Sequence, residues 1–190
     1  MKKGILLAGA LVGVAALLAL TLGRLNGLME PAMQPVVVQR TGPLILDAGH
    51  GGEDGGAVSL TGVPESQINL AIVLKLRDVL GLYGVDPILL REEDISLYSE
   101  GASTLREKKR SDLKNRVEQV NSVSGGVLVS LHQNSLPQVP SVHGAQAFYG
   151  EAEGSQALAE TVQAALNSTI NDRAKEVKAA PGYVIDQATQ

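Results

Sequence analysis

Three histidines stand at His50, His132 and His143, and the chain has no cysteine. Thiolate zinc sites, thiol nucleophiles, iron–sulfur clusters and disulfide scaffolds are therefore excluded, and imidazole and carboxylate must hold any metal. His50 lies in a glycine-rich turn just after the apolar run Leu44–Leu46, and His132 follows directly on Val127–Leu131. Functional groups in open α/β sheets gather outside the carboxyl ends of strands, so these two imidazoles are expected to meet. Glu65 opens the amphipathic stretch that leaves the same turn, which makes it the best third ligand. Two imidazoles, one carboxylate and an open fourth position are the make-up of a catalytic rather than a structural zinc site. Taken singly, each residue has an ordinary alternative: a strand-end His is commonly a hydrogen-bonded structural group, and a Glu at a helix start complements the helix dipole.

The turn also invites a phosphate reading, because Gly49, Gly51, Gly52, Gly55 and Gly56 could present backbone N–H groups to an anion. It lacks the Lys-Ser/Thr of a P-loop and does not match G-x-G-x-x-G, while Glu53 and Asp54 would repel phosphate. Nucleic acid is no better a partner. Leaving out the first 40 residues, 12 basic and 19 acidic groups remain, a net −7, and one Phe, four Tyr and no Trp offer few stacking platforms.

The elements that must position these residues read as strands separated by helices. Leu44–Leu46 is a strand entering the turn Ala48–Gly56, and apolar spacing predicts a helix over Ser66–Leu82, stopped by Gly84. Val85–Leu90 is a second strand, placed near an edge or bulge by Pro87. Thr104-x-x-Glu107 is a capping box before a helix expected to turn Leu105, Leu113, Val117 and Val120 inward. Its other face, with Arg106, Lys108, Lys109, Arg110, Lys114 and Arg116, reads as a solvated face, the alternative being attraction of an anionic glycan or lipid headgroup. Val127–His132 is apolar enough for a central strand, Ala145–Tyr149 is another strand, and Ser155–Ile170 is a helix with Leu158, Val162, Leu166 and Ile170 inward. Right-handed crossovers between such elements give an α/β three-layer sandwich with a mostly parallel central sheet flanked by helices.

Residues 1–24 are expected to be a signal peptide or N-terminal membrane anchor. Lys2 and Lys3 precede an uncharged run, Ile5–Leu22, which reaches roughly 27 Å as a helix, close to the bilayer hydrocarbon thickness. There is no A-x-A site and Thr21-Leu22-Gly23 is only a passable substitute, which favours an uncleaved anchor, and the positive-inside rule puts the chain after Arg24 outside the membrane. Residues 25–42, with Pro31 and Pro35, read as a linker, and 43–190 as the functional domain.

At this point the sequence resembles a known family. Asp47-Ala48-Gly49-His50-Gly51-Gly52-Glu53-Asp54-Gly55-Gly56-Ala57, then Glu65 ahead of Asn69-Leu70, then Leu90-Arg91-x-x-Asp94, then Ser130-Leu131-His132-Gln133-Asn134, are similar in kind and order to the zinc-dependent N-acetylmuramoyl-L-alanine amidases. Leu105–Leu113 and Gly144–Tyr149 resemble the spore-cortex branch, the amidases used in making muramic δ-lactam. The resemblance implies one zinc ion on His50, Glu65 and His132. It also implies peptidoglycan as substrate, with hydrolysis of the amide between the lactyl group of N-acetylmuramic acid and L-alanine. Asp47 is then expected to orient the loop or a ligand, and Asn134 and His143 are cleft-side candidates whose ordinary readings are a turn cap and a surface His. An activating protein partner is compatible with this reading, although no residue pattern names one.

Pro181–Ile185 matches the family's penultimate strand, and Asp186–Gln190 then ends the sequence. The family's general-base glutamate falls on a later strand beyond Gln190, and Asp186 does not align with it, so the domain is expected to lack its last strand, last helix and base. The expected protein is thus exported, either anchored and facing the cell wall or spore intermembrane space, or secreted. The alternative is an inactive, membrane-tethered protein that binds zinc or peptidoglycan. A structural domain without metal requires His50, Glu65 and His132 to lie far apart.

Overall fold

A computed structural model describes residues 42–135, 139 and 141–180. The expected membrane segment, most of the linker, Pro181–Ile185 and Asp186 lie outside these residues. Among the described residues no helix is long and apolar enough to cross a membrane. The elements run β1 (Leu44–Ala48), α1 (Glu65–Leu82), β2 (Ile88–Leu89), α2 (Leu105–Asn121), β3 (Val127–Leu131), β4 (Phe148–Tyr149), α3 (Ser155–Thr169) and β5 (Lys178–Ala179).

The main sheet has the order β2-β1-β3, all parallel, and β1 pairs with β3 along its whole length from Leu44↔Val127 to Ala48↔Leu131. Strand alternation sends the residues of β1 to two different helices. Leu46 and Ala48 pack with Val73 of α1, while Ile45 packs with Leu90 and Val120 of α2. Helices on opposite faces of a parallel sheet give the expected three layers. The second sheet is the parallel pair β4-β5.

The expected central strand, β3, is instead a neighbour of the central one. Every residue of β3 is half-buried, whereas Ile45–Ala48 of β1 are buried, because β1 pairs on both sides and carries a helix on each face. The second strand is shorter than its apolar run, since Pro87 has no N–H to give and pairing starts at Ile88. At the end of α1, Gly84 at φ 70° closes a Schellman motif, with Gly84 N donating to Gly81 O and Val85 N to Leu80 O, both 3.0 Å.

Two helix faces differ from expectation. On α2, Val120 is buried and Val117 half-buried, but Leu105 and Leu113 are exposed and Arg116 is 2% exposed. The reason is chemical: the face toward β1 includes the buried carboxylate of Asp47, which needs a cation more than the sheet needs another leucine. On α3, Leu158 and Val162 are exposed, as is Ile170 just after it, and Leu166 is half-buried, while Ala159 and Gln163 are buried. Gln163 Oε1 accepts from Ala147 N at 2.6 Å and its Nε2 donates to Ala145 O at 3.3 Å, so backbone polar groups ahead of β4 select the inward face.

Candidate metal centre

The site is built at the carboxyl ends of β1 and β3. Gly49 N donates to Leu131 O at 3.0 Å, which carries the strand pairing one residue into the loop. A Cβ on Gly49 would stand 2.2 Å from the His132 imidazole, and one on Gly56 (φ 68°) would stand 2.7 Å from the His50 ring and 2.8 Å from a Glu65 oxygen. Both glycines are therefore walls of the site rather than mere hinges. His50 itself has φ 63°, a left-handed conformation unusual for a residue with a Cβ.

The loop returns to cap α1. Pro64, the residue before the helix, offers no side-chain cap. Glu65 N donates instead to Ala57 O (2.7 Å) and Ser66 N to Gly55 O (3.0 Å), so loop carbonyls take N–H groups that the helix cannot satisfy internally. This docking delivers Glu65, 4% exposed, beneath the two histidines.

Ligand atoms of His50, Glu65 and His132 all lie within 4.8 Å of one another. Glu65 Oε1 is 3.4 Å from His50 Nε2 and 3.1 Å from His132 Nδ1, and the two rings meet edge-on with centroids 4.9 Å apart. The same oxygen accepts from Gln133 N (2.8 Å) and Asn69 Nδ2 (3.3 Å), while Oε2 accepts from Ala57 N (3.0 Å). Burial pushes the Glu65 carboxyl up, but the N–H groups of Ala57 and Gln133, with Asn69 and His50, outweigh it and hold the carboxyl below its ordinary range. The group is thus set as a carboxylate.

These residues fit a metal ion. His50 Nδ1 lies 3.0 Å from Asp54 Oδ2, a placement in which it carries the ring proton and leaves a lone pair on Nε2. That lone pair faces a carboxylate oxygen, an arrangement that repels unless a proton or cation lies between. Two imidazoles and one carboxylate are a donor set suited to zinc, and His132, whose side chain is 42% exposed, leaves one side of the cluster open.

The supports around the trio are mostly residues that sequence reading did not select. Arg91, 3% exposed, donates through Nε to Ala48 O (2.8 Å) and through Nη2 to Gly49 O (3.2 Å) and Ser66 O (2.9 Å), binding β1, loop and helix together. Arg116 donates through Nη2 to His50 O (2.8 Å), through Nη1 to Asp47 Oδ1, and through Nε to Asp112 Oδ2 (2.6 Å). Burial works against the Arg116 charge, yet Asp47 and Asp112 hold its pKa above the ordinary value. Asp47, 1% exposed, also accepts from Ser130 Oγ at 2.6 Å. It therefore supports the loop through Arg116 and makes no contact with an imidazole; that role falls to Asp54. Asn134 and His143 are exposed and form no hydrogen bond among the described residues, so His143 lies at the surface and Asn134 shows no turn-capping bond. Arg91 was visible within the Leu90-Arg91-x-x-Asp94 motif, but nothing in the charge pattern of α2 distinguished Arg116 from its solvated neighbours.

An α/β domain that gathers two imidazoles and a carboxylate at the carboxyl ends of parallel strands, open on one side, offers the donor set of a metal site. The chain belongs to the N-acetylmuramoyl-L-alanine amidase family, whose model matches residues 44–190. The germination-specific N-acetylmuramoyl-L-alanine amidase of Bacillus subtilis is 32% identical over 149 residues, 77% of this chain and 62% of its own length. The amidase LytC of the same organism is 30% identical over 145 residues, 75% of this chain and 26% of its own. The solved CwlD amidase of Clostridioides difficile, in complex with the GerS lipoprotein, has a TM-score of 0.69 at 39% identity, covering 76% of this chain and 75% of that one. The chain thus spans less than two thirds of these two curated relatives.

Proposed function

We propose that this chain hydrolyses the amide between N-acetylmuramic acid and L-alanine in peptidoglycan, using one zinc ion held by His50, Glu65 and His132. The observation that carries the reading is the convergence of two imidazole nitrogens on one buried carboxylate oxygen, at 3.4 and 3.1 Å. Family membership supports the reaction, and similarity to the germination-specific amidase supports a place in spore-cortex remodelling. The chemistry that zinc supplies when bound is polarisation of an amide carbonyl and activation of a water. The chain's own contribution is to hold Glu65 ionised, to fix the His50 ring through Asp54, and to leave the His132 side open to a glycopeptide.

Export with the domain facing the cell wall belongs to the same proposal, supported by Lys2, Lys3 and the run Ile5–Leu22. So does a protein partner, supported by the relative solved with a lipoprotein.

The test measures zinc per chain by atomic spectroscopy, and new L-alanine amino termini released from purified peptidoglycan. The full chain is compared with His50→Ala, Glu65→Ala and His132→Ala, and with a form extended by the family's terminal strand and glutamate. One zinc per chain, lost in each variant, with amide cleavage in at least one parent form, is the expected result. Unchanged zinc content in the variants would overturn the site, and zinc binding without cleavage by either parent form would overturn the reaction.

A further inference from the structure

The His50 ring is held from both ends. Nε2 faces Glu65, while Nδ1 lies 3.0 Å from Asp54 Oδ2. The other oxygen of Asp54 accepts from Lys109 Nζ of α2 at 2.9 Å and from Gly56 N at 3.4 Å. A reciprocal backbone pair between Gly51 and Asp54, at 2.9 and 3.1 Å, folds the turn so that the Asp54 side chain comes back onto His50 four residues earlier. The His50 and Asp54 side chains are only 24% and 25% exposed, so solvent screens this pair incompletely. One residue away, Glu53 forms the same kind of contact with the same helix, to Lys108 at 2.7 Å, without touching either histidine.

We propose that Asp54 is a positioning residue for the metal centre, with Lys109 of α2 holding the Asp54 carboxylate in place. The inference rests on the reading of His50 as a ligand. A carboxylate on Nδ1–H fixes both the tautomer and the orientation of the ring, so that Nε2 presents its lone pair toward Glu65 and the position between them. Without it the imidazole can rotate about its own bonds or place its proton on Nε2, and either change removes one ligand from the set. Lys109 acts at one remove: it restricts the carboxylate through Oδ1, an oxygen that otherwise keeps only the longer bond from Gly56.

The neighbouring pair supplies the control. Glu53→Ala removes an ion pair between the same loop and the same helix, so loop loosening in general should appear there as well. Asp54→Asn keeps an acceptor for Nδ1–H while removing the charge, and separates alignment from electrostatics.

The experiment measures the zinc dissociation constant of the full chain by competition with a chromophoric chelator at fixed pH, together with the visible spectrum of the cobalt-substituted protein. Asp54→Ala is expected to weaken zinc by about 10–100-fold. Asp54→Asn should recover part of that loss, Lys109→Ala should cost roughly 2–5-fold, and Glu53→Ala should stay within about twofold, as for an exposed pair. The cobalt ligand-field bands should shift in Asp54→Ala and not in Glu53→Ala. Loss of metal in His50→Ala with wild-type affinity in Asp54→Ala would overturn the positioning role alone. Equal losses in Asp54→Ala and Glu53→Ala would overturn it too, as general loosening of the loop. Full retention of zinc in His50→Ala would overturn the ligand reading and this inference together. Should Asp54→Ala fail to fold by circular dichroism, the Asn and Lys109 variants decide: Lys109→Ala equal to wild type, with Asp54→Asn also unchanged, would overturn the proposal.

Discussion

Arg116 donates to the backbone carbonyl of His50 over 2.8 Å, so a side chain of the second helix holds a loop residue at φ 63°. The same guanidinium is paired with Asp47 inside the domain, and each of the two is almost wholly buried. Removing one partner of such a pair leaves the other charge buried and uncompensated. Arg116→Ala should therefore destabilise the fold by about 3–5 kcal/mol. Adding Asp47→Asn should restore part of this loss by removing the stranded charge. Urea unfolding of both variants checks the order; a double variant less stable than Arg116→Ala would contradict the account.

Gly49 separates β1 from His50, and its missing side chain leaves room for His132. Gly49→Ala should displace the His132 ring, because the new methyl carbon would lie 2.2 Å from it. Zinc binding should fall while the far-UV circular dichroism spectrum is kept. Gly56→Ala should add a backbone cost of roughly 1–2 kcal/mol for a left-handed residue with a Cβ. Equilibrium dialysis and thermal melts together distinguish the two effects.

Asn69 is completely buried and its Nδ2 donates to both Gly49 O (3.1 Å) and Glu65 Oε1 (3.3 Å). Gly49 O keeps a bond from Arg91, and Glu65 keeps its backbone donors, so Asn69→Ala should cost only about 1 kcal/mol. Asn69→Asp should cost more, since it sets a second carboxylate beside Glu65 and removes the shared donor. Melting temperatures of the two variants at one pH test the ranking.

The cap of α2 gives the domain an acid-sensitive element. The Thr104 and Ser103 N–H groups and the Ser103 hydroxyl all donate to Glu107 Oε2, and they pull its carboxyl from 4.5 down to about 2. The folded value lies below the unfolded one, so the cap's contribution is complete above the unfolded pKa and is lost as pH falls through the folded one. Wild type should therefore exceed Glu107→Gln in unfolding midpoint near neutral pH, and the difference should close between pH 4.5 and about 2. A pH-independent difference would show that the charge is not what matters. Thr104→Ala, which removes the reciprocal bond to Glu107 N, should cost about 0.5–2 kcal/mol.

Much of this arrangement was legible in the residues because the signals are local. Thr104 and Glu107 mark a helix start through bonds made within one turn, and Gly84 marks a helix end through its own backbone freedom. His50 and His132 could be placed side by side because strand polarity alone puts both at the carboxyl ends of parallel strands. Glu65 followed from its place at a helix entrance, where the loop must return.

What only the tertiary structure decided is how buried charge is compensated. A carboxylate inside β1 is a problem that Asp47 poses locally and Arg116 answers from 69 residues away. Helical periodicity ranks positions by hydropathy, so it turned Arg116 outward and Leu113 inward, and the reverse is observed. The same logic applies to Gln163 of α3, whose inward direction is set by its bonds to the backbone of Ala145 and Ala147 rather than by the apolar stripe of Leu158 and Val162. Asp54, which the sequence presented as a charge unfriendly to phosphate, became the partner of His50 once the Gly51–Asp54 turn closed. Types and spacing are enough to nominate ligands, because metal chemistry accepts few side chains. The supports are chosen by desolvation, which belongs to a site in space and is felt only after the chain has closed around it.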